Sequence, residues 1–133
     1  MLELMRRGYS QTAITEILQK NSGLKGLSGI SGDMRQIRAA AASGHKGAMV
    51  ALDVFRHRLL QLIGSMASSL QALDVLPLAG GIGEHDDQLR AELKDSLSWL
   101  GDMEIVVIPA DEEGMIARLC RRHGDATVSA PVG

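Results

Sequence analysis

At 133 residues, 45% of them apolar and 23% charged, the chain is long enough for one domain with a moderate buried core. A net charge of -2 argues against a basic nucleic-acid surface, and the few aromatic residues (Tyr9, Phe55 and Trp99) leave no platform for base stacking. No apolar run approaches the ~20 residues of a membrane span, the start MLELMRRGYS lacks a signal-peptide core, and the single Cys120 cannot close an internal disulfide; the expectation is a cytoplasmic protein without nucleic-acid or membrane partners.

Five helical patterns and two strand-like runs follow one another. After Gly8, SQTAITEILQ offers Ser10 as a cap and Ile14, Ile17 and Leu18 as an apolar face. Gly23 and Gly26 read as the end of that helix and the start of a loop, GLKGLSGISG. A second helix is expected from about Asp33, with Met34, Ile37 and Ala41 on one side and Gly44 as its stop. The third and longest spans about 45–70. Its stripe of Met49, Leu52, Phe55, Leu59, Leu62, Ile63 and Met66, with Val50, Val54 and Leu60 beside it, predicts burial on more than one side. Such a stripe is the mark of a core or subunit interface and carries no catalytic group.

Beyond residue 73 the pattern changes. DVLPLAGG (74–81) reads as a short strand, followed by a helix carrying Leu89, Leu93, Leu97 and Leu100. EIVVIP (104–109) reads as a second strand, its uninterrupted apolar run being that of a strand covered on both faces. A last helix starts at Asp111, presents Met115, Ile116 and Leu119, and ends in RLCRRHG with Gly124 as its stop; the tail DATVSAPVG reads as loose. Two strand–turn–helix units in sequence imply parallel strands joined by a right-handed crossover, which places both turns at the carboxyl edge of the sheet. Pro77 removes one ladder donor and predicts an edge position or a bulge.

Each turn has two readings. In GGIGEH, Gly80, Gly81 and Gly83 suit a tight turn, or a backbone that a nucleotide approaches closely with its phosphates near the following helix. The spacing is neither that of a Walker A loop nor G-x-G-x-x-G. In IPADEEGMIAR, Asp111 can cap a helix and Glu112 and Glu113 complement its dipole, or one acid can hold Mg2+ as a hard oxygen ligand. The four histidines have no metal-ligand spacing with each other or with Cys120, and Ser28, Ser31 and Asp33 have no partnered histidine for a hydrolase triad.

Three segments taken in order, NSGLKGLSGISGDMRQI, LAGGIGEHDDQLR and VVIPADEEGMIAR, resemble the C-terminal portion of the acetate kinase family, the acetate, propionate and butyrate kinases. The resemblance runs from Leu4 to about Arg118. It implies part of a ribonuclease-H-like α/β domain of the sugar kinase, Hsc70 and actin superfamily: a helix-rich portion keeping two parallel strands, over 4–123, followed by a flexible tail over 124–133. It implies a parent enzyme that transfers the γ-phosphoryl of ATP reversibly to acetate or another short-chain carboxylate, giving acyl phosphate and ADP with Mg2+. Matched residue by residue, it puts Asp33, Met34 and Arg35 at the adenosine pocket, Gly81, Ile82, Gly83, Glu84 and His85 against the nucleotide, and Glu112 at the magnesium.

The chain departs from the family in having His85 for the usual Asn, in Pro77 within the strand, and in lacking a segment between SWLG and EIVVIP. The family's acceptor pocket, catalytic arginines and histidine, and phosphate hairpin precede the stretch that this chain matches. No catalytic residue is therefore assigned, and weak Mg-nucleotide binding without turnover is expected of the chain alone. The resemblance also implies a homodimer or larger assembly. The alternative is a non-catalytic assembly module that has lost nucleotide binding.

Overall fold

The computed structural model describes residues 1–128, with side chains through Arg121. In chain order it contains α1 (Leu2–Arg6), α2 (Gln11–Lys20), α3 (Gly23–Ser28), α4 (Met34–Ala42), α5 (Lys46–Ala67), β1 (Val75–Ala79), α6 (Gly80–His85), α7 (Asp87–Ser96), a 3-10 turn at Ser98–Leu100, β2 (Glu104–Ile108) and α8 (Glu112–Val128).

The caps fall where short polar side chains can reach free N–H groups. Ser10 Oγ accepts from Ala13 N at 3.2 Å, Asp33 Oδ1 from Arg35 N at 2.9 Å, and Asp86 Oδ1 from Leu89 N at 2.9 Å. The long α5 begins with His45, whose Nδ1 accepts from Ala48 N at 3.1 Å.

The segment expected to be a loop, GLKGLSGISG, instead starts with α3. Gly29, with φ 71°, closes this helix in the left-handed region. Tertiary packing overrides the low helix propensity of its glycines: a Cβ on Gly47 of α5 would lie 2.7 Å from the Ser28 carbonyl oxygen, so the α3–α5 approach depends on that glycine. Ser28 is buried and organises the next turn, its Oγ accepting from Ile30 N and donating to Ser31 O, both at 3.2 Å. Ser31 Oγ in turn accepts from Asp33 N at 3.1 Å, so two serines deliver the chain to the start of α4.

β1 and β2 form a parallel two-stranded sheet in the register Val75↔Glu104 to Ala79↔Ile108. Glu104 N donates to Asp74 O at 2.9 Å. Backbone groups alternate sides along a strand, so Leu76 and Leu78 also turn theirs toward β2 and the Pro77 nitrogen faces the outer edge. Proline is accommodated there without a bulge.

Two apolar clusters hold the elements together. Leu89, Leu93, Leu97 and Met103 form one, packed against Phe55, Leu59 and Ile63 of α5 and Leu76, Leu78 and Ile105 of the sheet. Ile37, Ala48 and Ala51 form the other, at the α4–α5 crossing. The long helix is less covered than its stripe predicts. Met49, Leu62 and Met66 are exposed, and only Ala48 and Ala51 are fully buried on α5. The sheet differs likewise: Leu76 and Leu78 face the core, whereas Val75 and Ile108 lie exposed on the other side. Apolar periodicity marks a surface to be covered and does not name its cover. The last helix continues through Gly124 to Val128, since one glycine costs a helix only about 1 kcal/mol and no proline follows before Pro131. The rest of the predicted tail, 129–133, lies outside the described residues.

Candidate functional site

Both turns emerge at the carboxyl edge of the sheet, as parallel pairing requires. Glu84 Oε1 accepts from Ala110 N at 3.0 Å, which joins the turn after β1 directly to the turn after β2. The turn after β1 is more structured than the sequence suggests. Ala79 is extended, Gly80 takes φ +74°, and Gly80 to His85 then coil into α6 themselves. The glycines therefore do not precede one long helix; Asp86 restarts the chain as the cap of α7.

The glycines of this turn have separate structural roles. Gly80 supplies the positive φ that reverses the chain. Gly83 is buried against β1, where a Cβ would sit 3.2 Å from the Leu78 carbonyl carbon. Gly81 has ordinary helical geometry and nothing within 4 Å of where its Cβ would be. Open space, not packing, faces Gly81.

That space is a cleft of about 520 Å³ lined by Gly32, Asp33, Met34, Arg35, Gly81, Ile82 and His85. The start of α4 forms one wall and α6 the other. Met34 is buried beneath it, and Ile82 is half-buried against the larger apolar cluster, so the base of the cleft is apolar and held in place by the core. Its rim is polar. Asp33 and Arg35 make a two-pronged pair, Nε to Oδ1 at 3.2 Å and Nη2 to Oδ2 at 2.8 Å. The side-chain and backbone hydrogen bonds from Arg35 hold the Asp33 carboxyl below its ordinary pKa, and Asp33 raises that of Arg35. His85 Nδ1 lies 3.1 Å from Gly81 O, which ties the ring to its own helix.

Of the residues singled out in the sequence, Asp33, Met34, Arg35, Gly81, Ile82 and His85 line this one cleft. Gly83 and Glu84 support it from behind, through the contact with Leu78 and the hydrogen bond to Ala110. Glu112 is exposed in the first turn of α8 and does not line the cleft. Asp111 serves the start of α8, accepting from Gly114 N at 3.1 Å and from Arg118 at 3.2 Å. Among the described residues no group of three or more His, Cys, Asp or Glu side chains is placed to hold a metal ion. A lone carboxylate such as Glu112 fits only as one ligand, direct or through water, of a Mg2+ whose remaining ligands are phosphate and water oxygens.

Two supporting residues, Arg90 and Arg38, escape sequence reasoning. Arg90 Nη1 donates to the carbonyls of Gly83 at 2.9 Å and Glu84 at 3.1 Å, holding the end of α6, while its other nitrogen pairs with Asp87. Arg38 donates to Asp86 at 2.7 Å and Glu92 at 3.3 Å. These partners lie 48 and 54 residues away in the chain, beyond any local spacing rule.

Comparison with known proteins decides the family. The model of the Acetokinase family matches residues 3–105. The chain belongs to the acetokinase family. It is 46% identical over 101 residues to the acetate kinase of Acaryochloris marina, covering 76% of this chain and 25% of that protein. It is 44% identical over 115 residues to acetate kinase 1 of Neisseria meningitidis, covering 86% and 27%. The chain thus spans about a quarter of the length of these curated relatives.

Solved acetokinase-family structures agree in fold. The acetate kinase of Porphyromonas gingivalis superposes with a TM-score of 0.77 at 27% identity, over 86% of this chain and 35% of that one. A propionate kinase from Francisella tularensis gives 0.74 at 33% identity, over 83% and 33%. The helix-rich architecture with two parallel strands is accordingly a part of the actin, Hsp70 and sugar-kinase type of fold, as the resemblance implied. Among the described residues no helix is long and apolar enough to cross a membrane.

Proposed function

We propose that this chain forms one side of an ATP/ADP site, from the C-terminal nucleotide-binding domain of an acetate kinase, and that the parent enzyme phosphorylates acetate or another short-chain carboxylate. The observation that carries this reading is the 520 Å³ cleft, whose size suits a nucleoside and whose lining combines an apolar base with a few polar groups. Met34 and Ile82 offer the surface for a purine ring. Asp33 and Arg35 provide an acceptor and a bidentate donor at the rim for ribose or phosphate oxygens. Gly81 lets the ligand reach the α6 backbone with no side chain between. Mg2+ arriving with the nucleotide would neutralise phosphate charge, and Glu112 is its proposed protein anchor. The reaction belongs to the cytoplasm, where ATP and carboxylates are available.

Phosphoryl transfer depends on holding both reactants and neutralising the transferred group. The α4–α6 cleft handles the nucleotide alone, so the expected behaviour is binding without turnover. Titration calorimetry with Mg-ADP tests the binding, and absence of heat and thermal shift at millimolar ligand would refute it. A hydroxamate assay with acetate and ATP should remain at background.

A second reading, an assembly module without nucleotide, draws on the exposed apolar residues Met49, Val50, Leu62 and Met66 of α5. Nucleotide binding separates the two readings, whereas assembly is common to both, and a homodimer through α5 is the proposed assembly. Light scattering after size exclusion should give a mass of at least two chains; a monodisperse monomer would refute the assembly.

A further inference from the structure

The two walls of the cleft rest on different apolar clusters, and the long α5 contributes to both. The α4 wall rests on α5 through Ile37, Ala48 and Ala51, whereas the α6 wall rests on the sheet and on the α7 cluster. Among the described residues, Arg38 supplies the side-chain hydrogen bonds that join α4 to the segment after α6. Arg38 stands one helical turn beyond Met34, on the same side of α4. Asp86 directly follows His85. Each member of the pair is thus rooted beside a residue that lines the cleft.

We propose that the Arg38–Asp86 ion pair is the positioning device of the nucleotide cleft, fixing the gap between its walls without touching the ligand. This inference rests on the nucleotide reading above. The geometry makes the pair stiff. Arg38 Nε meets Asp86 Oδ2 at 2.7 Å, and the side chains are only 17% and 8% exposed, so bulk solvent screens them little. The other oxygen of Asp86 caps α7 through Leu89 N, which fixes the carboxylate in place. Arg38 Nη1 reaches Glu92 at 3.3 Å, and Glu92 is itself oriented by Gln88 Nε2 at 3.0 Å. The guanidinium is therefore held by two carboxylates of one helix, the cap of α7 and a residue in its second turn. A displacement of α6 relative to α4 would break bonds that water could replace only poorly.

The pair is tested by calorimetric ADP titration of the whole chain, comparing the parent with Arg38→Met, Asp86→Asn, the double variant and Arg38→Lys. Asparagine retains the capping oxygen, so the second change weakens the pair while α7 keeps its start. Circular dichroism at the titration temperature checks that each variant is folded. Each single change should weaken ADP about tenfold, the double variant no further than the weaker single, and lysine should recover part of the loss. That non-additivity in affinity is the signature of one coupled device. A purely structural pair would lower the melting temperature and leave the affinity of the folded protein unchanged. Should Arg38→Met fail to fold, Arg38→Lys and Asp86→Asn carry the comparison. Parent-like affinity in the folded variants, or losses that simply add, overturns the positioning role alone. No binding by the parent overturns the nucleotide reading and this inference with it.

Discussion

Alanine substitutions at three neighbouring glycines should have three different outcomes, because the chain uses each glycine for a different reason. At Gly80 the φ of +74° is strained for an L-residue whatever the space around it, so Gly80→Ala should cost about 1–2 kcal/mol. At Gly83 the new methyl would meet the Leu78 carbonyl carbon and Cβ, each at 3.2 Å. Overpacking of this kind costs about 1–3 kcal/mol, partly offset by the ~1 kcal/mol that alanine gains over glycine within a helix; a loss of up to about 2 kcal/mol is expected. At Gly81 the methyl meets nothing within 4 Å and the backbone is already helical. Gly81→Ala should therefore stabilise the protein by about 0.4–1 kcal/mol. For a chain of this size 1 kcal/mol moves the melting temperature by about 3–5 °C, so thermal unfolding separates the three. The same methyl stands in the cleft, so Gly81→Ala should weaken ADP while the fold gains stability. A variant with a raised melting temperature and unchanged ADP affinity would refute the placement of the ligand over α6.

Leu93 is fully buried in the larger cluster, so Leu93→Ala should cost about 3–5 kcal/mol in denaturant unfolding; a loss under 1 kcal/mol would mean that the core is not closed there. Asp33 has a pKa below the ordinary 3.8 because of its hydrogen bonds from Arg35. Its stabilising contribution is intact above 3.8 and is lost as pH falls through the lower folded value; Arg35→Ala should shift the Asp33 NMR titration upward, and an unmoved titration would show that the pair does not persist in solution. Glu112→Gln should abolish the difference in ADP affinity between Mg2+ and EDTA buffers if Glu112 is the metal's anchor, whereas an unchanged difference would assign the cation wholly to phosphate and water.

Features written into local spacing were legible in the sequence. The leucines at 89, 93 and 97 recur at four-residue intervals and are all buried, and the apolar runs around Leu76 and Val106 form the parallel pair with both turns on one rim. α3 was illegible because its GLKGLS composition signals a loop, and only the close approach of Gly47 makes the helix worthwhile. The cleft residues were identifiable through the family's motifs, but their supports were not. Arg38 and Glu92 are ordinary helix-surface types, and nothing in a one-dimensional pattern separates a solvated arginine from one clamped between two acids. The His85 ring closes onto Gly81 O, a contact that depends on α6 being coiled and that no linear motif displays.

The carboxylate of Glu84 closes a latch between two parts of the rim, and a latch can be contested. Any positive centre drawn to the edge of the sheet would compete with Ala110 N for that oxygen. If the cation won, Pro109, Ala110 and Asp111 would lose their tether, and the direction in which α8 leaves the sheet would come to report on what the rim is holding.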